Sequence, residues 1–119
     1  MRFSMLLFVL DLILKRAAKK NDAFKKYISK AKARVLIKTK DGQRGRMLIF
    51  DKGKISSRSG GRHQDFDVAL VWKDAATGFS VMTDKNKDAS FNAAAEGKLH
   101  VEGMGVYAQW FEDGLKLVV

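Results

Sequence analysis

Residues 3–14 read Phe-Ser-Met-Leu-Leu-Phe-Val-Leu-Asp-Leu-Ile-Leu, an apolar run interrupted only by Ser4 and Asp11, and any fold of this chain must find a place for it. At 12 residues the run is too short to span a bilayer, which takes about 20. It also makes a poor secretory signal. Asp11 breaks it, and Lys15-Arg16-Ala17-Ala18-Lys19-Lys20 follows with no Ala-x-Ala cleavage pattern. The expectation is a helix over about 3–19 that covers a core, pairs with a second copy or lies on a membrane surface. Phe24, Tyr27 and Ile28 continue at helical spacing to about Lys30, with a break near Asn21-Asp22 and Asp22 as the expected N-cap of a second helix.

From Ala33 the period becomes that of strands. Val35, Ile37 and Thr39 alternate with Arg34, Leu36 and Lys38 up to the turn signal Asp41-Gly42. Arg46 to Phe50 reads as the partner strand, Asp51-Lys52-Gly53 as the next turn and Lys54 to Ser59 as a third, more polar strand. Ser59-Gly60-Gly61-Arg62 is a loop. Phe66 to Trp72 reads as a fourth strand with Phe66, Val68, Leu70 and Trp72 on one face. The period then returns to helix: Asp74 caps a segment containing Ala75, Phe79 and Met82, weakened by Gly78, and Asp88 caps a short one ending at Gly97. Leu99 to Glu102 is a fifth strand, and Met104 to Glu112 a last helix with Met104, Tyr107, Ala108 and Phe111 along one stripe and Trp110 beside it.

Charge divides the chain. Residues 1–64 hold 18 lysines and arginines against 4 acidic residues, a formal +14, whereas residues 65–119 are at −4. The basic half suits a solubilising surface, an anionic membrane or nucleic acid, since summed charge steers encounter whatever the fold. Nucleic acid fits least well: Phe24 and Tyr27 among the lysines look like core contacts, and both tryptophans lie in the acidic half, so stacking groups and positive charge are apart. With no cysteine there are no disulfides, thiolate metal sites or cysteine nucleophiles, which suits a reducing cytoplasm.

No spacing supports catalysis or a metal. Asp84-x-Asn86-x-Asp88 opens like a helix-loop-helix calcium loop, but Ala89 stands where glycine is needed and Ala95 where a bidentate glutamate is needed. Gly103-Met104-Gly105 lacks the third glycine of a dinucleotide fingerprint, and no glycine pair precedes Lys-Ser or Lys-Thr. His63 and His100 sit in no catalytic spacing, and neither Glu96 with Glu102 nor Asp65 with Asp67 has a substrate context. What remains is an excess of soft apolar residues after the fourth strand. They suit both a filled core and an apolar ligand pocket, and periodicity does not decide between the two.

The leading helices, Lys40-Asp41-Gly42, Asp51-Lys52-Gly53-Lys54-Ile55, Asp67-Val68-Ala69-Leu70 and above all the stretch Phe91 to Gly103 with its Gly97-Lys98-Leu99 turn give a sequence that resembles the sterol carrier protein type-two family. The resemblance implies an α+β fold over 1–119: a five-stranded, mainly antiparallel sheet with helices on one face and a lipid-sized cavity between. It implies a non-enzymatic binder, without cofactor, of a hydrophobic small molecule such as a sterol, fatty acyl chain, phospholipid or isoprenoid. The cavity wall would be drawn from Leu48, Phe50, Leu70, Trp72, Phe79, Met82, Phe91, Met104, Tyr107 and Phe111. The basic first half would dock on an anionic membrane surface, placing the protein in the cytoplasm or peripheral to a membrane. The alternative is an interaction module with a collapsed cavity, forming a homodimer through its N-terminal helix.

Overall fold

The computed structural model describes residues 2–84 and 88–118. Helices α1 (Arg2–Lys20) and α2 (Asp22–Ile28) lead into strands β1 (Lys32–Thr39), β2 (Gly45–Asp51), β3 (Lys54–Ser59) and β4 (Val68–Trp72). Helices α3 (Ala75–Met82) and α4 (Ala89–Ala95), strand β5 (Leu99–Gly103) and helix α5 (Gly105–Lys116) follow. The break between the first helices is capped one residue earlier than expected: Asn21 is the N-cap, its Oδ1 accepting from the Phe24 N–H at 3.0 Å, and Asp22 begins the helix. Asp74 caps α3 as expected, accepting from the Thr77 N–H at 2.7 Å, which holds its carboxyl below the usual carboxylate range. Asp88 holds the N-cap position of α4 without a side-chain cap bond.

The five strands run in the order β3-β2-β1-β4-β5. β1–β2, β2–β3 and β4–β5 are antiparallel, but β1 and β4 pair in parallel from Val35–Val68 to Thr39–Trp72. The sheet is therefore mixed rather than mainly antiparallel, because the chain leaves the β3 edge and re-enters beyond β1 in the same direction.

Alternation sorts the side chains onto two faces. Val35, Ile37, Leu48, Phe50, Val68, Leu70, Trp72 and Leu99 face the helices and build the main core with Phe3, Leu7 and Leu14 of α1, Phe24 and Ile28 of α2, and Phe111 of α5. Among the described residues the other face carries no helix, yet Leu36, Met47, Ala69 and Val71 are buried there, with Ile49 and Phe66 packed against them. Phe66 was expected on the β4 face shared by Val68, Leu70 and Trp72. It lies before the strand, in the connection 60–67, and packs on the opposite side.

That connection is a strap across the bare face. At one end the Gly60 N–H donates to Gly45 O at 2.9 Å; at the other Arg34 pairs with Asp65 at 2.7 Å and the Asp67 N–H donates to Arg34 O at 2.9 Å. Asp65 and Asp67 thus secure the strap to β1. Its departure needs a residue without a side chain, since a Cβ on Gly61 would stand 2.7 Å from Arg44 O and 2.9 Å from Gly42 O, both backbone atoms. Substituting Gly61→Ala forces the strap off the β1–β2 turn, and denaturant unfolding is expected to show a loss of about 1–3 kcal/mol. Unchanged stability would mean that the strap is not seated there.

Candidate functional site

Helix α5 leans over the sheet with Phe111 buried and Tyr107, Ala108, Trp110 and Leu115 partly buried against the main core. It is longer than the sequence suggested. Asp113-Gly114 reads as a stop signal, but the helix continues to Lys116, and Gly114 sits against the Tyr27 ring, where an added Cβ would come within 3.1 Å of Cε2. Under the helix lies an aromatic seam. The Trp110 ring stacks on Tyr27 at 5.7 Å and meets Phe50 edge-on at 5.0 Å, and Phe50 contacts Phe111 edge-on at 6.2 Å. With Leu14, Phe24, Ile28 and Leu115 these rings leave a volume of about 10 Å³ between them, about the room for one water molecule. The seam is therefore apolar and filled.

Hydrogen bonds tie α5 to α2 and its N-cap: Tyr27 OH donates to Trp110 O at 2.8 Å, and Asn21 Nδ2 donates to Leu117 O at 2.9 Å. Elsewhere in the helix-side core, Asp11 Oδ1 and Trp72 Nε1 are buried with no hydrogen-bond partner among the described residues.

Of the residues proposed for the wall, Leu48, Phe50, Leu70, Trp72 and Phe111 are buried together in the main core, and Met82 and Tyr107 pack against it. Phe79 is half-buried on α3. Phe91 and Met104 lie outside: Phe91 is 76% exposed, because α4 turns Ala93 inward and a residue two positions away points out. Met104 is 55% exposed, being the extended N-cap residue that precedes α5 rather than part of its stripe. Of the seam's other contributors, Leu14, Phe24, Tyr27 and Ile28 have helical spacing to mark them, which indicates a core and not what it faces, and Leu115 falls in the apolar tail expected beyond the last helix.

α1 carries two apolar faces. Phe3, Leu7 and Leu14 are buried, while Met5, Phe8, Val9, Leu12 and Ile13 form an outer stripe, Met5 67% exposed. The only acid of α1, Asp11, is turned inward and bound to Lys15 at 3.1 Å, so the exposed charges along the helix, Arg2, Arg16, Lys19 and Lys20, are all positive. Arg46 lies over the Phe8 ring at 5.5 Å. Among the described residues no group of three side chains is placed to hold a metal, and no helix is long and apolar enough to cross a membrane. Asn86 of the partial calcium spacing lies outside the described residues.

The architecture superposes on a ubiquinone synthesis protein, UbiJ-SCP2, with a TM-score of 0.71 over 96% of this chain and 91% of that one, at 16% identity. The apo form of sterol carrier protein 2 from Yarrowia lipolytica superposes with a TM-score of 0.61 over 92% of this chain and 89% of that one, at 20% identity. The chain has the sterol carrier protein type-two fold. The same fold covers 14% of the sec-alkylsulfatase Pisa1 from Pseudomonas sp., matching 78% of this chain at a TM-score of 0.55 and 13% identity, so there it is a small part of a larger enzyme. No family model matches the chain, and no curated protein matches it in sequence.

Within this fold, Tyr27 reports on the closed seam. Burial, with a smaller contribution from the Asp113 carboxylate, pushes its phenol above the usual value. A raised folded-state pKa stabilises the closed form fully below the ordinary tyrosine value of about 10, and that contribution is lost as pH rises through the higher folded value. Tyr27→Phe is expected to lower stability by about 0.5–1.5 kcal/mol at neutral pH and to flatten its decline above about pH 10. Thermal unfolding from neutral to alkaline pH measures both, and an unchanged alkaline decline would place the titrating group elsewhere.

Proposed function

We propose that the protein binds a lipid-like ligand without covalent chemistry, in the seam between α5 and the sheet. The observation that supports this most is the seam itself: its lining is apolar apart from the Tyr27 hydroxyl and the Trp110 indole N–H, and α5 is joined to α2 and its N-cap through the hydrogen bonds of Tyr27 and Asn21. Swinging α5 outward exposes Phe50, Trp110 and Phe111 to an incoming chain, with Leu48, Leu70 and Trp72 deeper in the same core. An acyl chain that replaces these contacts gains roughly 0.8 kcal/mol per buried methylene, so a chain of ordinary length offsets the opening. Sterol, fatty acyl, phospholipid and isoprenoid ligands all carry the required apolar body.

Exchange takes place at an anionic membrane surface in this reading. The α1 stripe of Met5, Phe8, Val9, Leu12 and Ile13, with Arg2 at one end and Arg16, Lys19 and Lys20 at the other, suits a helix lying in the headgroup region. A second reading draws on the filled seam: the interior stays closed, and the same stripe pairs with a second copy as an interaction module.

One experiment separates the readings. A fluorescent fatty acid is loaded into vesicles, and its transfer to the protein is followed by energy transfer from Trp110 and Trp72. The expected result is saturable uptake, faster from vesicles rich in anionic lipid and slowed by salt. No uptake, with a dimer by native mass spectrometry, supports the module instead. Uptake at a rate indifferent to lipid charge and salt keeps the ligand but refutes the docking.

A further inference from the structure

The strap across the bare face of the sheet borders an open cleft of about 620 Å³, on the opposite side from the seam. Its walls are the end of β1 with Lys38 and Lys40, the turn at Asp41-Gly42, the strap from Gly61 to Phe66, and Glu102 of β5. The strap is pinned at Gly60 and again at Asp65 and Asp67, so its intervening backbone is held in place. Among the described residues the N–H groups of Arg62, His63 and Gln64 make no backbone hydrogen bond. His63 Nε2 lies 2.8 Å from Ser59 O, an acceptor only, so that nitrogen donates and the ring is fixed at the rim.

The charges in the cleft are unequally committed. Lys38 is matched by Glu102 at 3.7 Å. Asp41 is engaged by its own turn: its Oδ1 accepts from Thr39 Oγ1 at 2.6 Å and from the Gln43 N–H at 2.9 Å, which hold its carboxyl below the usual carboxylate range. The side chains of Lys40 and Arg62 have no hydrogen bond or ion pair among the described residues, although the Lys40 N–H donates to Trp72 O at 2.8 Å. Arg62 lies beside the turn, its Cγ 3.5 Å and its Nε 3.7 Å from where a Cβ on Gly42 would stand, an ordinary packing distance. Two uncommitted cations, one of them a guanidinium fork, thus stand beside uncommitted backbone N–H groups. That combination of donors fits tetrahedral oxyanions.

We propose that this cleft binds a phosphate group carried on a small organic body. The volume is far larger than a bare anion fills, and the half-buried Phe66 offers an apolar seat for a ring or short chain beside the charge. Lys40, Arg62 and the strap amides hold the phosphate oxygens. The phosphate comes from a soluble monoester or from a lipid headgroup, and the test has an arm for each. The site lies apart from the seam, so its failure leaves the lipid-binding proposal untouched.

The full chain, isotopically labelled, is titrated at constant ionic strength with adenosine monophosphate, with adenosine as control, and with vesicles containing phosphatidic acid, while amide resonances are followed. The expected result is saturable shifts or broadening at residues 40–42 and 61–66, produced by the monophosphate or the phosphatidic acid vesicles and not by adenosine. The arm that responds identifies the source. The double substitution Lys40→Ala with Arg62→Ala, at exposed positions, is expected to keep the spectrum of the sheet and weaken binding about tenfold or more. No saturable change in either arm would overturn the proposal. So would changes spread equally over Lys19, Lys20, Lys25 and Lys26, or undiminished affinity in the double variant.

Discussion

Strand β4 lies parallel to β1 in the middle of the sheet, and it gets there from the far edge by a connection of only eight residues, 60–67. Parallel neighbours ordinarily need a crossover of a dozen residues or more, usually a helix. Here the short crossover passes flat over β2 and β1. To do so it sheds side chains where it leaves the turn at Gly61, inserts Phe66 over Leu36, Met47, Ala69 and Val71, and fastens to Arg34 through Asp65 and Asp67. The strap thus gives the bare face its small core and its cleft, and it leaves the opposite face wholly to the helices.

On that opposite face the helices differ in how firmly they are held. α1 inserts Phe3, Leu7 and Leu14 into the main core, whereas α5 contributes one fully buried side chain of its stripe, Phe111, with Trp110 wedged between Tyr27 and Phe50. Aromatic rings in such a wedge exchange one apolar neighbour for another at little cost, because dispersion and burial are non-directional. A seam that is filled and also able to take up a chain is physically consistent when the filler belongs to a helix that packs through apolar side chains. The orphaned Trp72 Nε1 adds one donor to an otherwise apolar interior.

Much of this was legible in the sequence because strand alternation is a local signal. β3 was read with its observed bounds, and β1 and β2 to within a residue. What escaped depends on distant partners. Nothing near Val68 states that it pairs in parallel with Val35, 33 positions earlier, and the face of Phe66 follows from that pairing. Gly114 stops a helix by propensity, but the absence of its side chain fits the Tyr27 ring, and packing overrides the local preference. Phe91 looked like a wall residue until Ala93 claimed the inward side of α4. The sequence states apolarity, and the seam shows why that falls short of stating a cavity: rings 83 positions apart, at Tyr27 and Trp110, fill the space between them.

Local opening of α5 is the central claim, and native-state hydrogen exchange measures it most directly. The account expects the amides of α5 to exchange through an opening much less costly than global unfolding, while those of β1, β2 and β4 exchange only through the global event. Adding a fatty acid is expected to slow α5 selectively. If α5 exchanges at the same free energy as the central strands, with or without fatty acid, the helix is a fixed part of the core and the account is contradicted.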